Sequence, residues 1–483
     1  MNEKPLAFVS RVMRHLAFVF VVSSAMAVDL PDPVQISAAM KKAVTFAHTH
    51  LARQGGYASS YDKEGKIGET EHNRSPTVIS IQPPGTTTMG LAMLHAYHAT
   101  GEELFLRAAR DAAGALIQSQ LASGGWDSDF DFSPDKMSKY HLRTRSDAAN
   151  KDKTKLRNLS TLDDNKTQSA LLLLLEVANQ SAMKGDAPLQ QAKKAGFDAL
   201  LAAQAPNGGW PQQFRGPADV SAPVKKANYP SDWSRVFPKL NYADYYTLND
   251  GNLSEIAKLL IRAHELEKDD RYLAALRHLG DFFLLAQMPE PQPVWAMQYD
   301  ADMHPAWARK FEPPSVTAYE SLGALETLHD IWVITGEDKY LAPMKAALAW
   351  FDRSKLADGT HARFYELRTN KPLFFVKDTY ELTYDDDNLP THYSFKTDRQ
   401  SDVEKFKERL TQPREKLLAK LAGPQTPKEW KSKAKGAADK ARRGLKALDS
   451  EGRWLKSERI DSAEFTKHLN AMASYVEAMR YAE

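Results

Sequence analysis

The sequence predicts an all-α protein, an (α/α) toroid of helical hairpins with long loops and a few short strands. The first observation behind this prediction is a recurring loop, in which an apolar run ends in a polar, glycine-rich stretch followed by an aromatic residue. Clear copies are Gly55-Gly56-Tyr57, Gly124-Gly125-Trp126 and Gly208-Gly209-Trp210, and weaker ones end at Trp295, Phe364 and Trp454. The second observation is the spacing of these aromatic residues, since each interval has room for two helices and a long connection. Such self-similarity indicates stacked helical hairpins, none of which buries its apolar face alone.

Apolar residues at helical spacing then locate the helices along the chain. The predicted ranges are 35–52, 87–120, 161–177, 187–204, 251–266, 269–287, 316–335, 338–353 and 462–482. The range 161–177 contains five consecutive leucines and is predicted to be a buried helix of the inner ring. We expect the last range to pack back onto the first helices. The glycines of the recurring loop provide tight helix exits.

The remaining segments have other patterns. Residues 133–158 are polar and basic and predict an exposed loop, whereas the proline- and aromatic-rich residues 216–242 predict a long loop that forms the wall of a groove. Residues 360–396 predict short strands or extended loops. Residues 401–448 are rich in lysine and arginine around an alanine-rich interior, which predicts a solvated helical hairpin.

The N-terminus has the pattern of a secretory signal peptide. Arg11 and Arg14 precede a short apolar run, and the small residues up to Ala27 provide a cleavage site. Because this run is too short to span a bilayer, we expect a mature chain that starts near Val28, is secreted or periplasmic, and does not bind a membrane. The domain prediction is a signal peptide (1–27), a toroid (28–400) and a basic helical extension (401–483) whose last helix closes the toroid.

The composition excludes several classes of function. The 483-residue chain has a formal net charge of +2, so it lacks the global basic field of nucleic-acid-binding proteins. It contains no cysteine, which excludes disulfides, thiol nucleophiles and cysteine-ligated zinc. We expect a monomer without a nucleic-acid partner.

Acidic and amide residues cluster at three places. They are Asp163-Asp164-Asn165, Asn249-Asp250-Gly251-Asn252 and Asp385-Asp386-Asp387-Asn388. Carboxylate and amide oxygens in loops are the hard ligands that Ca²⁺ prefers. The first two clusters precede predicted helices, so helix capping explains them as well, and spacing alone favours capping. The third cluster has no following helix and is interpreted as a solvated turn.

Three basic residues lie among aromatic and apolar neighbours just past helical stretches. They are Arg309, Arg363 and Lys377. Arginines in such places clamp carboxylates through two parallel hydrogen bonds. The simpler interpretation of a lone arginine is a snorkelling side chain or an ion pair with a nearby glutamate. From the residues alone, the prediction ends at a secreted helical toroid that is a candidate polysaccharide enzyme.

Six motifs follow one another in the chain. They are Thr161-Leu162-Asp163-Asp164-Asn165-Lys166-Thr167-Gln168, Ala203-Gln204-Ala205-Pro206-Asn207-Gly208-Gly209-Trp210-Pro211-Gln212, Thr247-Leu248-Asn249-Asp250, Trp307-Ala308-Arg309-Lys310-Phe311-Glu312-Pro313-Pro314-Ser315, Ala362-Arg363-Phe364-Tyr365-Glu366-Leu367 and Thr369-Asn370-Lys371-Pro372-Leu373-Phe374. This order resembles the family 10 pectate lyases, which carry the pectic acid lyase domain, over residues 40–396. The family fold is an (α/α) toroid, in agreement with the recurring loop.

The resemblance implies roles for individual residues. The candidate catalytic residues are Lys377, Arg363 and Asp163, the candidate substrate-binding residues are Arg309, Thr167, Asp164, Asn370 and Trp210, and the candidate Ca²⁺ ligands are Asp250, Asn249 and Asp163. The chain departs from the family at Lys377, which occupies the position of the catalytic arginine, and at Asp164, where relatives often have asparagine. An arginine expected near 390 is replaced by Pro390-Thr391-His392.

The reaction that the resemblance implies is β-elimination on polygalacturonate, an acidic polysaccharide. A lyase removes the proton at C5, which lies α to the C6 carboxylate, and expels the 4-linked oxygen to leave a 4,5-unsaturated end. Ca²⁺ and an arginine on the carboxylate stabilise the enolate-like charge. Arginine is a poor base, so Lys377 is the predicted base, with its pKa lowered by Arg363 and Ca²⁺, and we expect an alkaline pH optimum. The alternative is that Lys377 pairs with Asp378 or Glu381, and Arg363 or Arg309 is the base.

Three other interpretations fit parts of the pattern. Gln204 followed by Gly208-Gly209-Trp210 resembles the Gln-Trp repeats of triterpene cyclases, although the signal peptide argues against this class. A toroidal glycoside hydrolase or unsaturated-uronyl hydrolase would use an acid pair such as Asp163 and Asp250 and would add water. A non-catalytic polysaccharide-binding protein would keep the scaffold and bind polygalacturonate without releasing unsaturated product.

Overall fold

The structure, a computed structural model, describes residues 30–145 and 155–482, so the predicted signal peptide lies outside the described residues. The helices are α1 (Pro33–Phe46), α2 (Thr86–Thr100), α3 (Glu103–Ser119), α4 (Pro134–Met137), α5 (Lys166–Ala178), α6 (Ala187–Ala202), α7 (Asn252–Glu267), α8 (Asp270–Ala286), α9 (Ala318–Thr335), α10 (Leu341–Arg353), α11 (Gln400–Leu410), α12 (Arg414–Leu421), α13 (Pro427–Ala447) and α14 (Ser462–Ala482). The strands are β1 (Ser60–Tyr61), β2 (Gly68–Glu69), β3 (Arg74–Ser75), β4 (Val78–Ser80), β5 (Asp129–Asp131), β6 (Ser160–Thr161), β7 (Gln213–Phe214), β8 (Tyr246–Thr247), β9 (Gln298–Tyr299), β10 (Val316–Thr317), β11 (His361–Ala362), β12 (Phe364–Tyr365), β13 (Pro372–Phe375), β14 (Leu382–Thr383), β15 (Lys396–Thr397), β16 (Leu455–Lys456) and β17 (Arg459–Asp461).

The helices form the layered hairpins of an (α/α) toroid, which confirms the predicted fold class. Consecutive helices pack in pairs, namely α2 with α3, α5 with α6, α7 with α8, α9 with α10 and α13 with α14. The first members of the first four pairs are also successive neighbours, because α2 contacts α5, α5 contacts α7, and α7 contacts α9. These helices make up the inner layer. The core lies between the two layers, where one helix alone cannot bury its apolar face.

Short strands connect the loops at the ends of the helices. All of the strand pairs are antiparallel, and the largest sheet has the order β16-β17-β1-β2-β3. A second sheet, β10-β12-β13-β14, pairs Thr317 with Phe364 and Phe364 with Leu373. This sheet confirms that residues 360–396 contain short strands.

The leucine-rich helix is buried, as predicted, but it starts later than its pattern indicates. Leu171, Leu173, Leu174 and Leu175 are fully buried. The helix α5 begins at Lys166 because Ser160 and Thr161 pair with Phe214 and Gln213 as strands β6 and β7. The predicted helical range 87–120 contains two helices, α2 and α3. Helix α2 ends before Gly101, which adopts a left-handed conformation with a φ of 75°.

The tryptophans of the recurring loop cap the helices that precede them. The indole Nε1 of Trp126 donates to the carbonyl of Leu116 at 2.9 Å, and Trp210 donates to Leu200 at 2.8 Å. Trp295 and Trp454 make the same hydrogen bond, to Phe283 and Gly444 respectively. Each acceptor lies in the last turn of α3, α6, α8 or α13, where carbonyl groups have fewer backbone partners than in the middle of the helix. The carbonyls of Leu200 and Phe283 also accept a backbone N–H, from Ala203 and Gln287 respectively.

The first glycine of these loops is required by the backbone. Gly208 has a φ of 89°, and a Cβ atom at this position would lie 1.9 Å from the carbonyl oxygen of His278. Gly124 has a φ of 97°, and its Cβ would lie 2.2 Å from that of Ala199. Both glycines therefore allow the loop to touch the next outer helix, which a side chain would prevent.

The C-terminal residues return to the N-terminal helices. Helix α14 packs against α1, α2 and α13, and β17 pairs with β1. The hydroxyl of Tyr475 donates to the carbonyl of Pro31, and His95 and Asn470 are hydrogen-bonded at 2.9 Å. The segment predicted as a helical hairpin, 401–448, contains three helices (α11, α12 and α13), since proline and glycine residues interrupt it. The domain boundary at residue 400 stays a prediction.

Among the described residues, no helix combines the length and the apolarity that crossing a membrane requires.

Candidate active site

Two similar turns precede the neighbouring inner helices α5 and α7. Asp163–Asn165 and Asn249–Gly251 are both single 3-10 turns, and they contact each other. The middle residue of each turn is left-handed, with φ 49° and ψ 36° at Asp164 and φ 53° and ψ 24° at Asp250. Residues other than glycine rarely adopt this conformation, and it persists where the surrounding structure imposes it, often at functional sites.

The two turns bring three carboxylates together. Oxygen atoms of Asp163, Asp164 and Asp250 all lie within 4.8 Å of one another. The buried Lys166 compensates part of this charge, because its Nζ lies 3.1 Å from Asp163 Oδ2 and 3.6 Å from Asp164 Oδ2. Gln212 donates to Asp163 Oδ1 at 3.0 Å and fixes that carboxylate from the other side.

The remaining charge shifts the proton affinity of these acids. Burial, and then the charges of Asp164 and Asp163, raise the pKa of Asp250 to about 6. Burial and the charge of Asp163 also raise the pKa of Asp164 above its usual range. The three acids therefore repel one another in the absence of a further cation.

The donor set fits a hard divalent cation. Three carboxylates converge, and the amide oxygen of Asn249 is buried without a hydrogen-bond partner among the described residues. The Nδ2 of Asn249 donates to Asp250 Oδ2 at 2.6 Å, which orients the two side chains together. Neither α5 nor α7 has a side-chain hydrogen bond at its N-cap, so helix capping does not account for these acids. Oxygen ligands of this kind suit Ca²⁺.

Arg309 lies at the edge of the carboxylates. Its Nη2 is 4.0 Å from Asp250 Oδ2, and its Nε donates to Glu312 Oε1 at 2.8 Å. Burial lowers the pKa of Arg309, but the hydrogen bonds and the charge of Glu312 outweigh this effect, so the net shift of the pKa is upward. About 40% of the side chain is exposed, which leaves donors available to a ligand.

Arg363 lies deeper, between acids and aromatic rings. Its Nη2 donates to Glu320 Oε1 at 2.7 Å, and its guanidinium stacks 4.1 Å from the ring centre of Tyr393. Tyr393 links the two arginines, since Arg309 is 5.9 Å from the same ring and the Tyr393 hydroxyl donates to Glu312 at 3.2 Å. Burial lowers the pKa of Arg363, but the charges of Glu320, Tyr393, Glu312 and Asp250 together raise it by more, so the net shift is upward.

Lys377 is exposed on a turn that follows β13. Its backbone N–H donates to the carbonyl of Asn388. In the part of the chain that the structure describes, its ammonium has no hydrogen bond and no ion pair. It is therefore not paired with Asp378 or with Glu381. The turn lies beside the segment that carries Arg309. The centre of the Tyr380 ring is 3.8 Å from the Lys310 ammonium and 6.1 Å from the centre of the Phe311 ring.

Three of the predicted substrate-binding side chains occupy structural positions. Trp210 and Thr167 are fully buried, so the Trp210 ring has no surface on which a sugar can stack, and the Thr167 hydroxyl accepts the N–H of Trp126. Asn370 accepts from Trp350 Nε1 at 2.8 Å and donates to Ser354 at 2.8 Å. These contacts give the three residues a structural role, and their assignment to substrate binding stays a prediction.

The long loop 216–242 borders the same region, as its composition predicts. The Trp307 indole donates to the carbonyl of Ser234, and Arg235 forms an ion pair with Glu366. The third acidic cluster forms a separate group of carboxylates, in which Asp386 is paired with Lys396, and its Asn388 accepts the backbone N–H of Lys377.

Sequence reasoning missed five polar residues that hold the site. They are Lys166, Gln212, Glu312, Glu320 and Tyr393. The first three stand inside the quoted motifs, and Glu320 follows one of them closely, so the motifs carried a signal without indicating contacts. Tyr393 has no local signal, because its role depends on two arginines that are distant in sequence.

The comparison with known families assigns this chain to a class of enzyme. The pectic acid lyase family matches residues 131–403, which is more than half of the chain. The chain is a polysaccharide lyase, which sets aside the triterpene cyclase and hydrolase interpretations. It belongs to the pectic acid lyase family.

Solved structures with similar folds include several carbohydrate-active enzymes. A variant of the family 10 polysaccharide lyase from Cellvibrio cellulosa, solved with trigalacturonic acid, is 19% identical, with a TM-score of 0.45 over 67% of this chain and 99% of that chain. A GH76 α-mannanase from Bacteroides thetaiotaomicron is 12% identical, with a TM-score of 0.42 over 93% of this chain and 99% of that chain. No curated protein matches the sequence.

Proposed function

We propose that this chain is a pectate lyase that cleaves polygalacturonate by calcium-dependent β-elimination. The observation that carries the proposal is the convergence of Asp163, Asp164 and Asp250 beside Arg309, in a chain of the pectic acid lyase family. A uronate substrate brings one carboxylate per sugar, and an arginine beside a cation site is the combination that binds such a group.

The three carboxylates and the amide oxygen of Asn249 would hold Ca²⁺. Asn249 fits this role because its oxygen is buried without a partner among the described residues. A bound Ca²⁺ ion would neutralise the substrate carboxylate and withdraw electron density from it, which makes the C5 proton more acidic.

The arginines orient the substrate carboxylate. Arg309 lies 4.0 Å from Asp250, so one carboxylate can bridge its exposed donors and the cation site. Arg363 is held by Glu320 and by the Tyr393 ring, and we assign to it the stabilisation of negative charge that develops as the C5 proton leaves.

We assign the proton abstraction to Lys377. The pKa values of Arg309 and Arg363 are both raised, which makes either guanidinium a still poorer proton acceptor. Lys377 has an exposed ammonium without an ion pair among the described residues, on a turn that adjoins the Arg309 segment. Since the amine must lose its proton to act, this assignment predicts activity that rises toward alkaline pH.

The first experiment measures the near-ultraviolet absorbance of unsaturated product. The chain without residues 1–27 is mixed with polygalacturonate in the presence of Ca²⁺, and then in excess chelator. We expect product only with Ca²⁺, and a loss of at least about a hundredfold in Asp250→Asn. Asp387→Asn is the matched control, because it removes one charge from the exposed third cluster. New reducing ends without absorbance would indicate hydrolysis, and binding without product would indicate a polysaccharide-binding protein.

The base is tested by Lys377→Ala. We expect kcat to fall by about 10²–10⁴ with little change in KM, and small primary amines to restore part of the rate. Lys405→Ala, at a lysine of α11 that is 72% exposed, is the control and should keep its rate. A full rate in Lys377→Ala would contradict this assignment and move the role to Arg309 or Arg363.

We also propose that the protein is exported as a monomer and is secreted or periplasmic. The pattern of residues 1–27 supports export. N-terminal sequencing of the exported chain should begin at Val28, and a chain that retains Met1 would contradict the proposal.

A further inference from the structure

Helix α13 concentrates positive charge that the candidate active site does not use. Its 21 residues carry eight lysine or arginine side chains and two acidic ones, a net charge of +6, whereas the whole chain has +2. The rest of the molecule is therefore net acidic. A block of charge of one sign on one element attracts ligands of the opposite sign.

Part of this charge lines a groove between α13 and α14, which we call the basic groove. Its volume is about 590 Å³. Its cationic side chains are Lys433, Lys440, Arg443 and Lys467, together with His468, and its lining contains no acidic residue. The floor consists of short side chains, including Gly436, Ala437 and Ala471, so a chain of sugars has room between the cations.

The acids around the groove neutralise only part of its charge. Glu477 lies 2.8 Å from Lys433, and Glu464 lies 2.8 Å from Lys467 and 3.3 Å from His468. Lys440 and Arg443 have no ion pair within the part of the chain that the structure describes. Two cations therefore remain to pair with an external anion. Asn470 and Ser474 add polar groups that suit hydroxyl-bearing ligands.

The basic groove is separate from the candidate active site. The carboxylates precede α5 and α7, whereas the groove belongs to α13 and α14. In the inner layer α2 contacts both α14 and α5, so it stands between the two sites. A polymer long enough to reach both sites would have two independent attachments to one enzyme.

We propose that the basic groove is a second binding site for acidic polysaccharide, which holds the polymer on the enzyme. The identity of this ligand rests on the function proposed above. Carboxylates repeated along a polyuronate match cations repeated along one helix, where Lys433 and Lys440 are separated by seven residues, or about 10 Å. Because the binding is electrostatic and exposed, salt weakens it.

The test compares two double charge reversals on the same helix. Lys440→Glu/Arg443→Glu alters the groove, and Lys431→Glu/Lys435→Glu makes the same change in charge on the opposite face of α13. Both double variants are combined with Asp250→Asn, which prevents cleavage. Their binding to long polygalacturonate is then measured by affinity electrophoresis. We expect the groove pair to weaken binding about tenfold more than the control pair, with the difference lost in high salt.

A second measurement separates the basic groove from the active site. In chains with Asp250, the groove pair should leave kcat and KM on trigalacturonate unchanged and should raise KM on the long polymer. Equal effects of the two pairs on polymer binding would overturn the proposal, as would no effect of either. Groove-dependent binding of DNA or of vesicles containing phosphatidylserine that exceeds the binding of polygalacturonate would show a different occupant. If the chain forms no unsaturated product but the groove pair still weakens polygalacturonate binding, the groove proposal stands and the lyase proposal fails.

Discussion

Lys166 shows how a single residue prepares the candidate cation site. It is nearly fully buried at the start of α5, and its ammonium contacts Asp163 and Asp164 at the same time. A buried lysine is tolerated only when its charge is paired, and here the pairing also holds two carboxylates close together. The residue therefore supplies part of the positive charge that the acids require before any ligand binds.

Replacement of Lys166 tests this role. Lys166→Met keeps the length of the side chain and removes its charge, so in chelator the free energy of unfolding should fall by about 1–3 kcal/mol. The rise in melting temperature produced by Ca²⁺ should become larger than in the wild type, because the carboxylates then have no other cation nearby. Thermal unfolding in chelator and in Ca²⁺ measures both.

The control is Lys258→Met, on the neighbouring helix α7, where the lysine is 61% exposed and pairs with Glu255. It should change stability by less than about 0.5 kcal/mol and leave the effect of Ca²⁺ unaltered. A Lys166→Met protein that is as stable as the wild type in chelator would contradict the role.

At the scale of elements, the glycine-aromatic loop has a structural purpose. Its aromatic residue enters the core and its indole caps the last turn of the preceding helix, at Trp126, Trp210, Trp295 and Trp454. Carbonyls in the last turn of a helix have fewer backbone partners than those in its middle, and water does not reach them when the loop covers them. The repeat therefore joins each outer helix to the next inner helix.

Trp210→Phe tests whether this residue acts in stability or in sugar binding. Loss of the hydrogen bond to Leu200 should lower the free energy of unfolding by about 1–3 kcal/mol, while KM for polygalacturonate stays the same. Trp430→Phe is the control, since the indole of Trp430 makes no hydrogen bond within the described residues, and this variant should lower stability by less. A raised KM without a loss of stability would support the sugar-stacking interpretation instead. Denaturant unfolding and steady-state kinetics provide the two readouts.

For the whole molecule, the contacts between the C-terminal and N-terminal residues determine whether a part of the chain can fold without the rest. Helix α14 covers α2, and β17 extends the sheet that contains β1. A chain that ends at residue 400 loses both contacts, including the hydrogen bond between His95 of α2 and Asn470 of α14. The amino-acid composition would then change at residue 400, but the two parts of the chain would not fold independently of each other.

Truncation after residue 400 should therefore yield a protein that unfolds without a cooperative transition or aggregates. Circular dichroism during heating and limited proteolysis measure this. A truncated chain that melts cooperatively near the wild-type temperature would show that 28–400 is an independent domain.

The sequence by itself determined the repeated hairpins, the burial of the leucine-rich helix, the family, and most of the charged residues of the candidate site. Periodicity and glycine-aromatic loops encode these features locally, because they depend on which face of an element is apolar and on where the backbone must turn. The motifs containing Asp163, Asp250, Arg309 and Arg363 were recognisable through their resemblance to a known family.

Only the tertiary structure decided which of these residues meet. Asp163 and Asp250 converge because α5 and α7 are neighbours and because two left-handed turns direct their carboxylates to one point, whereas Asp386 lies apart and pairs with Lys396. Likewise, a tryptophan after two glycines is equally suited to a sugar or to a helix end until its burial is known, as at Trp210. The physical reason is that the partners of a charge or of a hydrogen-bonding group are set by contacts between distant segments, which local pattern does not encode.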